Sequence, residues 1–334
     1  MSPHENGPEP DVSDDAALIT VIGESLVDII DDQRWGITAP QMHPGGSPLN
    51  VAVGCARLDL RTKLVTHFAE DRYGRMIADH LDSNGVGSIV GGSEPTSTAL
   101  ASLDAAGAAQ YTFSISWDIN GASMPALATA ESSLHVHTGS IATALPPGNK
   151  SVRGLVDAAR PHATISFDPN CRPAISPDVA AAREQAEDFV AASDIVKASD
   201  EDLLWLYPNR TLEESMAAWL DRGPSLVALT RGANGPVLMT GQGRVEMPGE
   251  PIAVEDTVGA GDSFMAGLIS GLAQMDMLGA AGRPHLRNLS LDDLHALAAY
   301  ANRAAAITCS RQGANPPTSA ELGPLTRSVS AQKA

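Results

Sequence analysis

The stretch "DTVGAGDSF", Asp256 to Phe264, sets three small residues just ahead of a second acid in a chain of formal net charge −18. The residues downstream of Asp262 explain the arrangement. Phe264, Met265, Leu268, Ile269, Leu272 and Met275 recur at helical spacing and form one apolar face. Gly259, Ala260 and Gly261 therefore occupy a helix N-terminus, where the first backbone N–H groups have no intrahelical partner and the helix dipole is positive. Residues without bulky side chains let an anion approach those donors closely. Taken alone, the pattern fits an N-capping Asp262 after a flexible turn equally well.

Outward from that turn, short β-rich runs alternate with helical stretches. "ALITVIG" (Ala17–Gly23) reads as a first strand and "LNVAVGCARLDL" as a helix. "KLVTHFA" reads as a strand and "YGRMIADHLDSNG" as a helix ending at Gly85; "HATISFDPN", "SDIVKAS", "SLVALTRG" and "GPVLMTG" are further strands. Such alternation implies βαβ units, and hence an α/β fold with a mostly parallel central sheet covered on both faces. One region departs from it. Thr96–Trp117 reads as two strands joined by a turn at Asp104–Gly107 with no helix between them. It is either a flap over a site or an edge hairpin of the main sheet.

At 334 residues the chain can bury a full core. The acidic, Pro-containing N-terminus lacks a basic and an apolar region, so residues 1–16 read as a disordered tail and not as a secretory signal. No apolar run has the length of a membrane span. Cys55, Cys171 and Cys309 are too far apart for a disulfide framework or a zinc knuckle. A cytoplasmic location is the expectation. The acidic balance argues against nucleic acid as a partner, since phosphate contacts along a polymer need a basic face; one small nucleotide held by backbone N–H groups and a metal remains compatible with it.

"DTVGAGDSFMAGL" resembles the C-terminal signature of the ribokinase-like (PfkB) carbohydrate kinases, and "GGSPLNVAVGCARL" (Gly45–Leu58) resembles their N-terminal one. "GESLVDI", "DPNCRP", "KASDEDL", "TRGANG" and "ANRAAAITCSRQGANPP" fall in that family's order, so the likeness runs from about Leu18 to Pro317. "DPNCRP" and "RQGANPP" are most similar to the fructokinase branch. The resemblance implies a three-layer α/β/α kinase domain over residues 17–320, with a small β lid from about 30–44 and 95–118 and a C-terminal tail at 321–334. The lid would include the segment near Trp35 to His43, and members often form homodimers through such lids.

The activity it implies is ATP-dependent phosphorylation of a small sugar at a primary hydroxyl. In that scheme the N–H groups of Gly259, Ala260 and Gly261 face the transferred phosphoryl group and Asp262 takes the hydroxyl proton. Asp28, Gly46 and Asn50 bind the sugar, and Arg172 is a candidate contact specific to the fructokinase-like branch. Lys197, Thr230, Gly232, Gly235 and Asn302 belong to the nucleotide. Mg2+ is held mainly through waters and phosphates, and a monovalent cation, K+, by Asp256, the Val258 carbonyl and carbonyls near Gly313. The sequence departs from the family in two places. The usual Asn-x-x-Glu that orders the metal waters is Ser199-x-x-Asp202, with Asp168 and Asn170 as supplementary groups. Ser140 stands near the place of ribokinase's sugar-binding Glu, which argues against ribose. A 2-keto-3-deoxygluconate or nucleoside kinase and a non-catalytic sugar sensor are the alternatives. His135 and His137 share a strand face as a metal pair could, but no third ligand accompanies them. "PPGNKS" lacks the first Gly of a Walker loop.

Overall fold

The computed structural model describes residues 17–32, 40–103 and 109–327. The expected turn at Asp104–Gly107, Trp35, the N-terminal tail and the end of the C-terminal tail lie outside the described residues.

Thirteen strands are described: β1 (Ile19–Ile22), β2 (Leu26–Asp32), β3 (Gln41–Gly45), β4 (Thr62–Thr66), β5 (Gly87–Val90), β6 (Ser97–Leu103), β7 (Ala109–Ser114), β8 (His135–Gly139), β9 (Thr164–Asp168), β10 (Ile195–Ser199), β11 (Leu226–Thr230), β12 (Val237–Thr240) and β13 (Gly243–Glu246). Nine of them form one sheet in the order β13-β12-β11-β10-β9-β8-β1-β4-β5. All neighbours from β11 to β5 run parallel, and β12 and β13 add an antiparallel edge.

The apolar residues of these strands alternate between two cores, as a sheet covered on both faces requires. Ile19, Val21, Ile195, Leu226 and Ala228 pack with the helices Ser47–Arg57, Ala260–Gln274 and Leu291–Cys309. Ile22, Val65, Val196, Val227 and Leu229 pack against the other face with the helices Gly148–Ala159, Val179–Ala192 and Leu212–Leu220. Among the described residues no single helix is long and apolar enough to cross a membrane.

The remaining strands form a second sheet, β3-β2-β6-β7. The hairpin read at Thr96–Trp117 is the antiparallel β6/β7 pair of this sheet and is not an edge of the main one. Its other inner pairing, β2 with β6, is parallel. The last described helix, Ser319–Leu322, straddles the tail boundary expected at residue 320, because Leu322 is fully packed into the core.

The order of the main sheet reverses at β1, which has β8 on one side and β4 on the other. In open α/β sheets, ligands bind beyond the carboxyl ends of the strands at such a point. Glu24 follows β1, Ser140 follows β8, and Asp168, Ser199 and Thr230 end β9, β10 and β11.

Candidate active site

A cleft of about 1660 Å³ opens at these strand ends, under the second sheet. The residues singled out from the sequence as catalytic, sugar-binding, nucleotide-binding or cation-binding line it, except the supplementary Asp168, which is buried beneath its floor. They come from segments more than 200 residues apart.

At its centre lies the turn that opens the helix Ala260–Gln274. Gly259 is the N-cap, in the left-handed region at φ 74°, and a Cβ there would stand 2.6 Å from the Ala314 Cβ. Only glycine meets both demands without strain. Ala260 and Gly261 are the first two helical residues, and Asp262 is the third, nearly buried. Asp256 ties the turn down: it accepts from Val258 N (3.0 Å) and, across the cleft wall, from Gly313 N (2.9 Å). Burial works against its charge, but these backbone donors outweigh it and hold the carboxyl below its ordinary value. The Asp256 oxygens expected on a cation are thus already engaged by amides.

The part of the cleft expected to take the sugar is built by β2, β3 and the helix Ser47–Arg57. Gly46 caps that helix at φ 109°, pressed so close to the Glu24 carbonyl that a Cβ would stand 2.6 Å from it. Ser47 Oγ donates to Asp262 Oδ1 at 2.6 Å and Asn50 Nδ2 to Asp262 Oδ2 at 2.8 Å. Asn50, expected on the sugar, is bound here to the catalytic candidate. Asp28 pairs across β2/β3 with His43; burial raises its pKa, while His43 and Arg172 pull it down. Arg172 is exposed, and its Nη1 donates to the carbonyls of Asn170 and Cys171 at 3.1 and 3.0 Å.

The floor carries a buried ion pair. Lys197 Nζ lies 2.5 Å from Asp168 Oδ2, with the two side chains 5% and 1% exposed. Burial pushes Asp168 up to about 6, against the pull of Lys197 and helped by Asp202 and Asp262. For Lys197 burial is outweighed by Asp168, which holds the ammonium above its ordinary value. A Cβ on Gly261 would stand 3.0 Å from Lys197 Nζ, so the ammonium lies directly beneath the glycine turn.

Asp202 accepts from Cys171 N (2.7 Å), Ser199 N (2.9 Å) and Ser199 Oγ (2.7 Å), closing the capping box of the helix Asp200–Leu206. Its two oxygens serve the backbone first. No cluster of three or more metal-ligating side chains exists among the described residues. Asn302 Nδ2 donates to the Pro248 carbonyl at 3.0 Å, and Gly235 packs against the backbone of the same Met247–Gly249 segment, with Thr230 and Gly232 lining the cleft beside them. His135 and His137 share Ser166 Oγ, each at 2.8 Å, and burial drives both imidazoles far below their usual pKa, so they are neutral structural groups.

Three participants escaped the sequence. Glu24 is fully buried and accepts from Ala142 N at 2.9 Å; burial pushes it up to about 7, partly offset by Ser140 and Arg172. Ser47 and the pairing of Lys197 with Asp168 are the others. Glu24 and Ser47 sit inside quoted motifs, "GESLVDI" and "GGSPLN", but nothing in local spacing marks their side chains as facing a site.

A glycine turn at a helix N-terminus, with a buried carboxylate on the third helical residue that is held by a second helix across the cleft, is an arrangement suited to a small-molecule phosphotransferase. The chain belongs to the pfkB family carbohydrate kinases, whose family model matches residues 16–321. It is 32% identical over 267 residues to a fructokinase of Rhizobium leguminosarum bv. trifolii, covering 78% of this chain and 81% of that one. The structure of a sugar kinase from Pyrococcus horikoshii superposes with a TM-score of 0.74 at 27% identity, covering 92% of this chain and 96% of that one. A fructokinase double mutant from Vibrio cholerae, in its fructose-, ADP- and potassium-bound form, superposes with a TM-score of 0.73 at 25% identity, covering 90% and 95%. The fold is ribokinase-like, and the protein is a carbohydrate kinase.

Proposed function

We propose that the chain transfers the γ-phosphoryl group of ATP to a primary hydroxyl of D-fructose. The observation that carries this reading is Asp262. It stands one residue beyond the glycine turn and is bonded to Ser47 and Asn50 on the sugar side, so phosphoryl group and hydroxyl would meet at its carboxylate. In the transfer, the sugar oxygen bonds to the γ-phosphorus, the bond to the departing ADP oxygen breaks, and the hydroxyl proton passes to Asp262. In a loose transition state the proton leaves late, so a weakly basic carboxylate suffices to orient the hydroxyl and receive it.

The chain's groups fit a nucleotide and a divalent ion carried by it. The N–H groups of Gly259 and Gly261 and the Lys197 ammonium suit phosphate oxygens, while Ala260 N already donates to the Thr257 carbonyl at 3.2 Å and would have to be shared. Mg2+ keeps its waters and binds through phosphates, so it needs few protein ligands of its own. Asp202, despite its backbone duties, lines the cleft where those waters would lie. A Pyrococcus horikoshii sugar kinase solved in complex with ATP supports the donor. The second sheet, which brings Ala99, Ala101 and Phe113 over the cleft, would act as the lid that excludes water from the phosphoryl group.

Fructose is favoured over an acidic sugar by charge. Arg172 lies in the field of both Asp28 and Glu24. A ligand carboxylate would meet two acids around one guanidinium, whereas a neutral polyol would find acceptors and donors already balanced. Against ribose stands Ser140, with the Asn170 amide 3.4 Å from its hydroxyl. The fructokinase relatives and the fructose-bound Vibrio cholerae neighbour agree with this substrate.

The deciding measurement is kcat/KM for D-fructose, D-ribose and 2-keto-3-deoxygluconate on the wild type and on Arg172→Ala. D-fructose is expected to lead. Buried polar groups left unpaired by the wrong sugar can discriminate by roughly 10⁴-fold. Preference for the keto acid, lost selectively in Arg172→Ala, would overturn fructose while leaving the kinase intact.

A further inference from the structure

Ser47 is the first residue of the helix Ser47–Arg57, a position from which a serine hydroxyl ordinarily serves the local backbone. Here it caps nothing; Gly46 is the N-cap and makes no side-chain bond. The Ser47 hydroxyl instead crosses to a residue 215 positions away, Asp262, with a 2.6 Å bond to Oδ1. Asn50, three residues on and so on the same face of the helix, donates to Oδ2 at 2.8 Å. The carboxylate is held at both oxygens by one helix face.

That grip has a chemical consequence. A carboxylate that must accept a proton from one hydroxyl, in line with one phosphorus, loses rate if its plane turns, since small misplacements at a reacting group are costly. Gripped at one oxygen it can still rotate; gripped at both it cannot. The helix that does the gripping is itself anchored, since Gly46 is wedged against the Glu24 carbonyl and Pro48 stiffens its first turn. Ser47 is 9% exposed and Asp262 is 9% exposed, so water competes poorly for this bond.

We propose that Ser47 is a positioning residue for phosphoryl transfer, its hydroxyl fixing the plane of the Asp262 carboxylate from which the proton is accepted. This rests on the reading of Asp262 as proton acceptor. Ser47 need not touch the sugar or the nucleotide; it acts through the bond to Asp262. Its removal therefore costs turnover and not sugar affinity.

The test is a double-mutant cycle on the full chain with D-fructose and ATP-Mg2+: wild type, Ser47→Ala, Asp262→Asn and the pair. Ser47→Ala is expected to lower kcat about 10-fold or more, in the range of a lost hydrogen bond to a charged group, with sugar KM within about threefold of wild type. In the Asp262→Asn background the same change is expected to cost almost nothing further, because its effect has lost its carrier. Equal losses in both backgrounds, an unchanged kcat, or a loss of ADP affinity in Ser47→Ala would each overturn the proposal. Near-wild-type turnover of Asp262→Asn would instead remove the proton-acceptor reading itself, an outcome distinct from failure of Ser47 alone.

Discussion

Lys197, in the middle of β10, and Asp168, at the end of the neighbouring parallel strand β9, form an ion pair 2.5 Å long, buried almost completely beneath Gly261. Burying two charges is costly, and a pair of apolar residues of similar volume is often as stable or more so. A cation placed against the positive end of a helix adds to the cost. The pair's location under the glycine turn proposed to bind the phosphoryl group gives it a functional reason for being there. Lys197→Met alone, which strands a buried carboxylate, is expected to lower stability by about 3–5 kcal/mol in urea unfolding. Combining it with Asp168→Leu should restore most of that loss without restoring kinase turnover. Recovery of both together would show the pair to be purely architectural.

Two glycines of the turn should fail for different reasons. Gly259 is left-handed and crowded by Ala314, so Gly259→Ala should cost about 1–2 kcal/mol of stability from its backbone alone. Gly261 has an ordinary helical conformation but a Cβ there would stand 3.0 Å from Lys197 Nζ, so Gly261→Val should cost stability by pressing on the buried ion pair and, because its methyls would fill the space over the turn's N–H groups, lower kcat by about 10²–10³-fold, as loss of an anion-hole donor does. A rise confined to sugar KM in Gly261→Val would contradict the assignment of the turn to the phosphoryl group.

Glu24 gives a pH signature. Its pKa rises from 4.5 to about 7 on folding, chiefly through burial. The folded state thus binds its proton more tightly than the unfolded chain, and this contribution is full below pH 4.5 and lost as pH climbs to about 7. The loss amounts to roughly 3 kcal/mol. Glu24→Gln cannot titrate. Its stability relative to wild type should improve between about pH 5 and pH 8, measured by urea unfolding at both; a constant difference would mean that Glu24 is solvated or already ionised.

Turnover should depend on the monovalent cation. Asp256, bonded to the amides of Val258 and Gly313, joins the two segments whose carbonyls would hold the ion behind the turn. A bound cation there would fix the turn without touching substrate. Exchanging K+ for tetramethylammonium at constant ionic strength is expected to lower kcat; equal rates in the two salts would remove the cation from the site.

The sequence by itself determined whatever depends on neighbours along the chain. A short β-rich run marks a strand, a helical recurrence marks a helix, and Gly259, Ala260 and Gly261 ahead of the apolar face beginning at Phe264 mark a helix N-terminus; each is decided within a dozen residues. The identity of the family came from motifs of that length. Only the tertiary structure decided which side chains meet. The grip of Ser47 and Asn50 on Asp262 spans more than 200 residues, and the Lys197–Asp168 contact depends on the pairing of β9 with β10. The burial that pushes Glu24 up to about 7 needs the short helix Ser140–Ala144 laid over the end of β1, and the parallel pairing of β2 with β6 separates the hairpin from the main sheet. Such contacts are set by sheet order, register and helix packing, quantities of the whole chain that no local spacing encodes.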